Sequence, residues 1–250
     1  MLVNERQNEI YKYLQKHGSA TVKTLAETFY VSEATLRRDL AEMQRLGLAE
    51  RSHGGATLPE GAGEISMFVR VEKNAKEKEI AVTNALKSLP NFFAAFIDSS
   101  STALALVRKI DFRGKTVVTH SLQVATAVSR QKGAEVILAG GNLLYNMTSV
   151  SGSFAVEQIR QFSFDLTLTS CAAIAAGGTY ERSMEQREIK RAAIARGKTN
   201  FLIADHTKFS CFAPFRAEEL SAFDKIVLDA PPPEELFSSP AAPPREKFVY

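Results

Sequence analysis

From Ser32 to Leu46 apolar residues return at helical spacing, with Leu36, Leu40, Met43 and Leu46 sharing one face. Ser32 stands where an N-cap belongs and Glu33 suits the first turn, so the pattern predicts a helix opening at residue 32. At about 100° per residue, Ala34, Arg38, Ala41 and Arg45 point away from the apolar face, with Arg37 on one flank and Thr35 on the other. Upstream, Val22, Leu25, Ala26 and Phe29 pattern a short helix, Tyr30 and Val31 a turn, and Ile10, Tyr13 and Leu14 the stripe of a first helix. Beyond Gly47, the stretch from Leu48 to Leu58 holds Gly54-Gly55 between two strand-like pieces, which signals a hairpin.

Three short helices sharing one small core, followed by a hairpin, describe a winged helix-turn-helix. The helix from Ser32 is its candidate recognition helix: a major groove roughly 12 Å wide admits a helix whose outward side chains are small, and Arg grips phosphate or guanine. The candidate DNA contacts are Thr35, Arg37, Arg38 and Arg45 on this helix and Arg51 and His53 on the wing. The competing reading of Arg37-Arg38-Asp39 is a solvated helix face. From Met1 to Thr57 there are 8 Lys+Arg against 7 Asp+Glu, so any affinity for double-stranded DNA rests on where the cations sit.

The Pro/Gly-rich stretch from Pro59 to Gly63 breaks the pattern, giving a first domain over residues 1–58 and a linker over 59–73. From Asn74 to Leu89 the period is helical again, through Ile80, Ala81, Ala85, Leu86 and Leu89. Strand-like runs follow at Phe93 to Ile97, Thr116 to Thr119, Val136 to Ala139, Leu166 to Thr169, Asn200 to Ala204 and Lys225 to Leu228. Helical stretches at about 102–110, 122–131, 152–161 and 185–196 alternate with them, predicting βαβ units and a mainly parallel sheet. The second domain is therefore α/β and spans residues 74–230. Residues 231–250, rich in proline, read as an extended or partly disordered tail.

A chain of 250 residues with 45% hydrophobic content buries a substantial core in one or two domains. A net charge of +3 fits anionic partners only weakly. Cys171 and Cys211 form no CxxC, the four histidines show no metal-ligand spacing, and no apolar run approaches the roughly 18 residues needed to span a membrane. The expectation is a cytoplasmic chain with reduced thiols and no metal, cofactor or membrane association.

Ligands of an open parallel sheet bind at the carboxyl ends of its strands. There the sequence is polar: Asp98-Ser99-Ser100-Ser101-Thr102, Thr119-His120-Ser121, Gly140-Gly141, Thr169-Ser170-Cys171 and Asp205-His206-Thr207-Lys208. Hydroxyls entering a helix suit a phosphate, Asp98 and Asp205 suit sugar hydroxyls, and Lys190 or Lys208 offsets the anion's charge. The candidate ligand residues are Asp98, Ser99, Ser100, Ser101, Thr102, Thr119, His120, Ser121, Gly140, Gly141, Lys190, Asp205 and Lys208; helix capping for Ser99 to Thr102 and a plain turn for Gly140-Gly141 are the competing readings.

These residues resemble the DeoR family of bacterial transcriptional regulators from about Arg6 to Asp229. The N-terminal part carries the more specific signature: Arg6, Ile10, Leu14, Gly18, Val22, Leu25-Ala26, Phe29, Val31-Ser32, Thr35, Arg37 to Leu40, Gly47, Arg51 and His53 to Ala56. The later part is similar to the family's sensor at Arg70, Lys78, Asp98 to Thr102, Thr119 to Ser121, Gly140-Gly141, Glu188-x-Lys190 and Asp205 to Phe209. It departs at Ser100, where glycine is usual, at His120, where asparagine is common, and at Ser170 to Ala173, where a glycine is expected. The resemblance implies an effector domain related to ribose-5-phosphate isomerase and CoA transferase folds, binding a phosphorylated sugar as effector. The expected role is a non-enzymatic repressor of a carbohydrate-utilisation operon, binding operator DNA as a homo-oligomer, dimer or tetramer. The alternative is a sugar-phosphate isomerase with an appended DNA-binding domain, using Asp98, Glu188 or Asp205 as base.

Overall fold

The computed structural model describes residues 3–45, 48–52, 54–58, 66–144, 147–238 and 242–250. Leu46, Gly47 and His53 lie outside them. The chain divides into two units, Met1–Val69 and Arg70–Tyr250.

In the first unit, α1 (Val3–His17), β1 (Ser19–Thr21), α2 (Val22–Thr28) and α3 (Glu33–Arg45) precede strands β2 (Glu50–Ser52) and β3 (Gly55–Thr57). Ile10, Leu14, Leu25, Leu36, Leu40 and Met43 are fully buried together, the residues expected from the helical period. Thr21 caps α2 by accepting from the Thr24 amide at 3.0 Å, and Ser32 caps α3 by accepting from the Thr35 amide at 3.1 Å. The wing has three strands, ordered β1-β3-β2 and all antiparallel. Gly54 makes its turn at φ +84°, and a Cβ on Gly55 would sit 2.4 Å from the Ala20 carbonyl oxygen, so only glycine lets β3 approach β1.

The division between units falls within α4 (Met67–Glu72), so the second half of the expected linker is helical. The second unit continues through α5 (Ala75–Ser88), β4 (Ala94–Ile97), α6 (Ser101–Val107), β5 (Thr116–Thr119), α7 (Leu122–Ser129) and β6 (Glu135–Leu138). A hairpin, β7 (Asn142–Leu144) and β8 (Ser149–Ser151), leads to α8 (Ser153–Arg160), β9 (Phe164–Thr169), β10 (Ala173–Ala175) and β11 (Gly178–Glu181). Then come α9 (Met184–Ile194), β12 (Gly197–Ile203), β13 (Phe215–Arg216), β14 (Lys225–Val227) and β15 (Phe248–Val249).

Seven of these strands form one parallel sheet, ordered β15-β14-β12-β9-β4-β5-β6. The six runs read as strands are six of its members, flanked by buried clusters around Phe96, Ile159, Phe164 and Ile189 and around Leu202, Phe223, Ile226 and Leu228. The tail departs from expectation: β15 pairs parallel to β14 and Phe248 buries its ring against Phe237, so Phe248 and Val249 belong to the sheet's edge. A second small sheet, β10-β11-β13, and the β7-β8 hairpin had no sequence reading. In α5 the buried stripe is Lys78, Ala81, Val82 and Ala85, while Ile80 is 50% exposed.

Candidate functional site

In the first unit, α3 turns Leu36, Leu40 and Met43 inward and leaves Arg37, Arg38 and Arg45 exposed. Arg37 reaches back one turn to Glu33 at 2.6 Å, and Arg45 pairs with Glu42 at 2.5 Å. Arg38 and Arg51, both exposed, form no ion pair among the described residues. The Thr35 hydroxyl lies 2.9 Å from that of Ser32 and so joins the cap. Asp39 is not part of the outward face: it is buried and takes two bonds from the Arg6 guanidinium, 2.5 Å from Nε and 3.0 Å from Nη2. That bidentate pairing holds α1 against α3 and raises the Arg6 pKa through the hydrogen bond to Asp39.

In the second unit the expected residues do gather at the carboxyl ends of the strands, but most are occupied by the fold. Asp98, at the end of β4, accepts from the amides of Ser100 and Ser170, both at 2.9 Å, and faces Lys190 Nζ at 3.3 Å. Lys190 also donates to Glu181 at 2.6 Å and to the Ser170 carbonyl at 2.7 Å. Burial alone would lower the pKa of this lysine; Glu181 and Asp98 outweigh it and raise the value above its ordinary range. Its charge is balanced internally. Ser100 caps α6, accepting from the Ala103 amide at 3.0 Å, and Ser121 caps α7, accepting from Val124 at 3.2 Å. Thr119 donates to the Ile97 carbonyl at 2.6 Å, tying β5 to β4. The Gly140 amide donates to Gln158 at 2.9 Å, and Gly141, at φ +147°, leaves 2.4 Å between a notional Cβ and the Ser151 carbonyl oxygen. Ser101 and Thr102 open α6 as buried residues.

A polar cluster lies beside these caps. Gln186 Oε1 accepts from the Ser99 hydroxyl at 3.1 Å and lies 3.2 Å from His120 Nε2, and Gln186 Nε2 donates to Ser149 at 3.3 Å. His120 is wholly buried and stacked on Phe96, so desolvation lowers its pKa to about 4 and keeps the ring neutral. Its Nδ1 is buried without a hydrogen-bond partner among the described residues.

The cations gather elsewhere. Lys78, one turn into α5, is buried and donates to the carbonyls of Arg70 and Lys73. Arg70 reaches over the end of β4 to the Ser99 carbonyl at 3.3 Å. Burial first, then Lys208, lowers the Lys78 pKa to about 8, with Arg70 and Lys73 adding to the depression and Asp205 opposing it. Asn74, held at φ 54°, donates from its amide to Asp205 at 3.2 Å and to Thr207 at 2.9 Å. Asp205 Oδ2 is buried without a hydrogen-bond partner among the described residues. Lys208, Arg70 and Lys73 thus lie close enough to act on the buried Lys78, and Asp205, which acts on it too, has an acceptor to spare, an arrangement suited to an anion that also carries hydroxyls.

Of these groups the sequence places Ser99, His120, Asp205 and Lys208 among the ligand residues; Arg70 and Lys78 enter only through the family resemblance, and Lys73, Asn74, Ser149 and Gln186 are not read there. A signal for Lys78 exists, since it shares the apolar face of α5 with Ala81, Val82 and Ala85 at i+3, i+4 and i+7.

Comparison with known proteins covers the whole arrangement. The description of a DeoR-like helix-turn-helix domain matches residues 6–61, and that of a DeoR C terminal sensor domain matches residues 73–230. The chain is 30% identical over 235 residues to the glycerol-3-phosphate regulon repressor of Escherichia coli (strain K12), covering 93% of each. It is 31% identical over 234 residues to the HTH-type transcriptional regulator GolR of Listeria innocua, covering 90% of each. Among solved structures, a ribose 5-phosphate isomerase from Methanocaldococcus jannaschii aligns over 55% of each chain at 9% identity with a TM-score of 0.40, a likeness too slight to build on.

Proposed function

Because the chain belongs to the DeoR family of transcriptional regulators, we propose that it is a repressor of a carbohydrate-utilisation operon whose hold on operator DNA is set by a phosphorylated sugar in the second unit. The observation that carries the effector half is the gathering of Lys208, Arg70 and Lys73 about the buried Lys78, whose pKa is lowered to about 8 by burial first and by these cations in addition. Like charges gathered about a buried lysine are costly until a multivalent anion neutralises them. A phosphate supplies that charge, and a polyol attached to it supplies donors for Asp205 Oδ2 and His120 Nδ1, both buried acceptors without partners among the described residues. In this reading Asp98 and Lys190 do not touch the ligand; they fix the ends of β4 and β9 and the start of α6 beneath it.

The DNA half uses α3 in the major groove, with Arg38 and, after release from Glu33 and Glu42, Arg37 and Arg45 on phosphates or base edges, and Arg51 on the wing beside them. Exposed ion pairs of this kind are worth about 1 kcal/mol or less, so the exchange is inexpensive. Binding as a homo-oligomer suits a winged domain that by itself reads only a short half-site.

The isomerase alternative gains no support from Asp98, one of its three candidate bases with Glu188 and Asp205, since that carboxylate accepts two amides and faces Lys190. The test is calorimetry on the full chain with matched sugars and sugar phosphates, together with Lys78→Met and Lys208→Met. The phosphorylated member of a pair is expected to bind at least about tenfold more tightly, and each variant to lose most of that margin. Equal affinity for both members, or undiminished binding by both variants, would move the ligand elsewhere.

A further inference from the structure

Helix α2 ends in a Schellman arrangement: the Val31 amide donates to the Ala26 carbonyl at 3.1 Å and the Tyr30 amide to that of Glu27 at 3.4 Å. This cap requires a left-handed residue after the helix, and Tyr30 takes that position at φ 53°. Glycine fills it without steric conflict, whereas a bulky aromatic residue there is an outlier. No contact of the Tyr30 side chain offsets the strain. Tyr30 is 96% exposed, and among the described residues its side chain makes no hydrogen bond, ring contact or ion pair. Val31, by contrast, packs on the core and supplies the apolar contact that such caps favour. The phenol therefore acts outward, from the turn of the helix-turn-helix, two residues ahead of the Ser32 cap that opens α3.

We propose that Tyr30 is a DNA-backbone contact, its hydroxyl donating to a phosphate oxygen beside the groove that α3 enters. The proposal rests on the reading of α3 as the recognition helix. A strained residue retained with no packing role points to work at a binding surface, and tyrosine hydroxyls are among the side-chain groups that grip DNA phosphates.

The test uses the full chain, a duplex enriched from random sequence by the unaltered protein, and the variants Tyr30→Phe, Tyr30→Ala and Tyr30→Gly. All three are expected to bind the duplex about tenfold more weakly, as losing a hydrogen bond to a charged group implies. The slope of log affinity against log salt stays unchanged, because a neutral side chain releases no counterion. Only Tyr30→Gly relieves the backbone, so it alone is expected to melt higher, by about 2 °C, while binding less. Normal binding by both Tyr30→Phe and Tyr30→Gly would overturn the proposal, and normal binding by Tyr30→Phe alone would replace the hydroxyl with a ring contact and so overturn it too. Unchanged DNA binding with an altered sedimentation coefficient would assign the ring to a protein contact instead. If the unaltered chain enriches no duplex, the reading of α3 fails as well.

Discussion

Lys78 sets a pH dependence that reports on the anion site. Burial and the nearby Lys208 hold its pKa near 8 in the folded chain against an ordinary 10.5. Between about pH 8 and 10.5 the unfolded chain therefore binds this proton and the folded chain does not, so stability rises with pH across that window and gains nothing from Lys78 below it. Effector affinity has the opposite sign: a bound phosphate, fully ionised above about pH 7, favours the charged lysine, so binding weakens above pH 8 by up to about tenfold per unit. Lys78→Met is expected to flatten both profiles; calorimetry and melts from pH 7 to 9.5 read them, and a flat profile in the unaltered chain would separate Lys78 from the site. Neighbours on α3 show how far such roles were readable beforehand. The helical period assigned Arg38 to the outer face correctly, but the partner that buries Asp39 is Arg6, 33 residues away, a distance at which no local pattern carries information. Asp39→Ala is therefore expected to cost about 3 kcal/mol by stranding a largely buried guanidinium. Arg38→Ala should leave the melt unchanged, weaken DNA binding and reduce the salt slope by about one.

At the scale of elements, the long periodic segments were legible and the short ones were not. Strands β4, β5, β9 and β12 each hold buried apolar residues and are buried over most of their length, and helices α6 to α9 alternate with strands in βαβ order, so period and length both identified them. The three-residue strands β7, β8 and β10 have too few positions for any alternation to register. Strand β15 is shorter still and sits behind a proline-rich stretch, and its pairing depends on β14 offering a free edge 20 residues upstream in sequence. At the strand ends the sequence located the polar ring but could not divide it between the caps that complete the fold and the groups left over for a ligand. Removing Lys247 to Tyr250 strips β14 of its neighbour and uncovers Phe237 and Leu236. The shortened chain is expected to melt several degrees lower while its DNA contacts are untouched. On the wing, Gly55→Val forces a Cβ to within 2.4 Å of the Ala20 carbonyl oxygen, so it should cost several times what Gly54→Ala does, where space is open and only the backbone is strained.

For the whole molecule, regulation requires that occupancy of the sensor unit and grip on DNA be thermodynamically linked. If a sugar phosphate changes DNA affinity by some factor, DNA must change sugar-phosphate affinity by the same factor, whichever sign the coupling takes. Coupling of this kind is typically about 1 to 3 kcal/mol, or 5- to 150-fold. Variants then separate by class. Lys208→Met acts at the effector site, so it should weaken effector binding to free and DNA-bound protein alike and leave the coupling factor near its original value. Arg38→Ala should weaken DNA binding in the presence and absence of effector by a common factor, again leaving the coupling intact. A residue that belongs to the coupling itself would change the ratio, by altering the affinity for one ligand in the presence of the other while leaving its affinity for the free protein near its original value. Measuring all four affinities of the thermodynamic box by calorimetry and fluorescence anisotropy closes the cycle. Two legs that differ by more than experimental error would mean a further linked equilibrium, most simply a change in oligomeric state, and an interaction factor of one would remove the sugar phosphate from the role of effector while leaving its binding site in place.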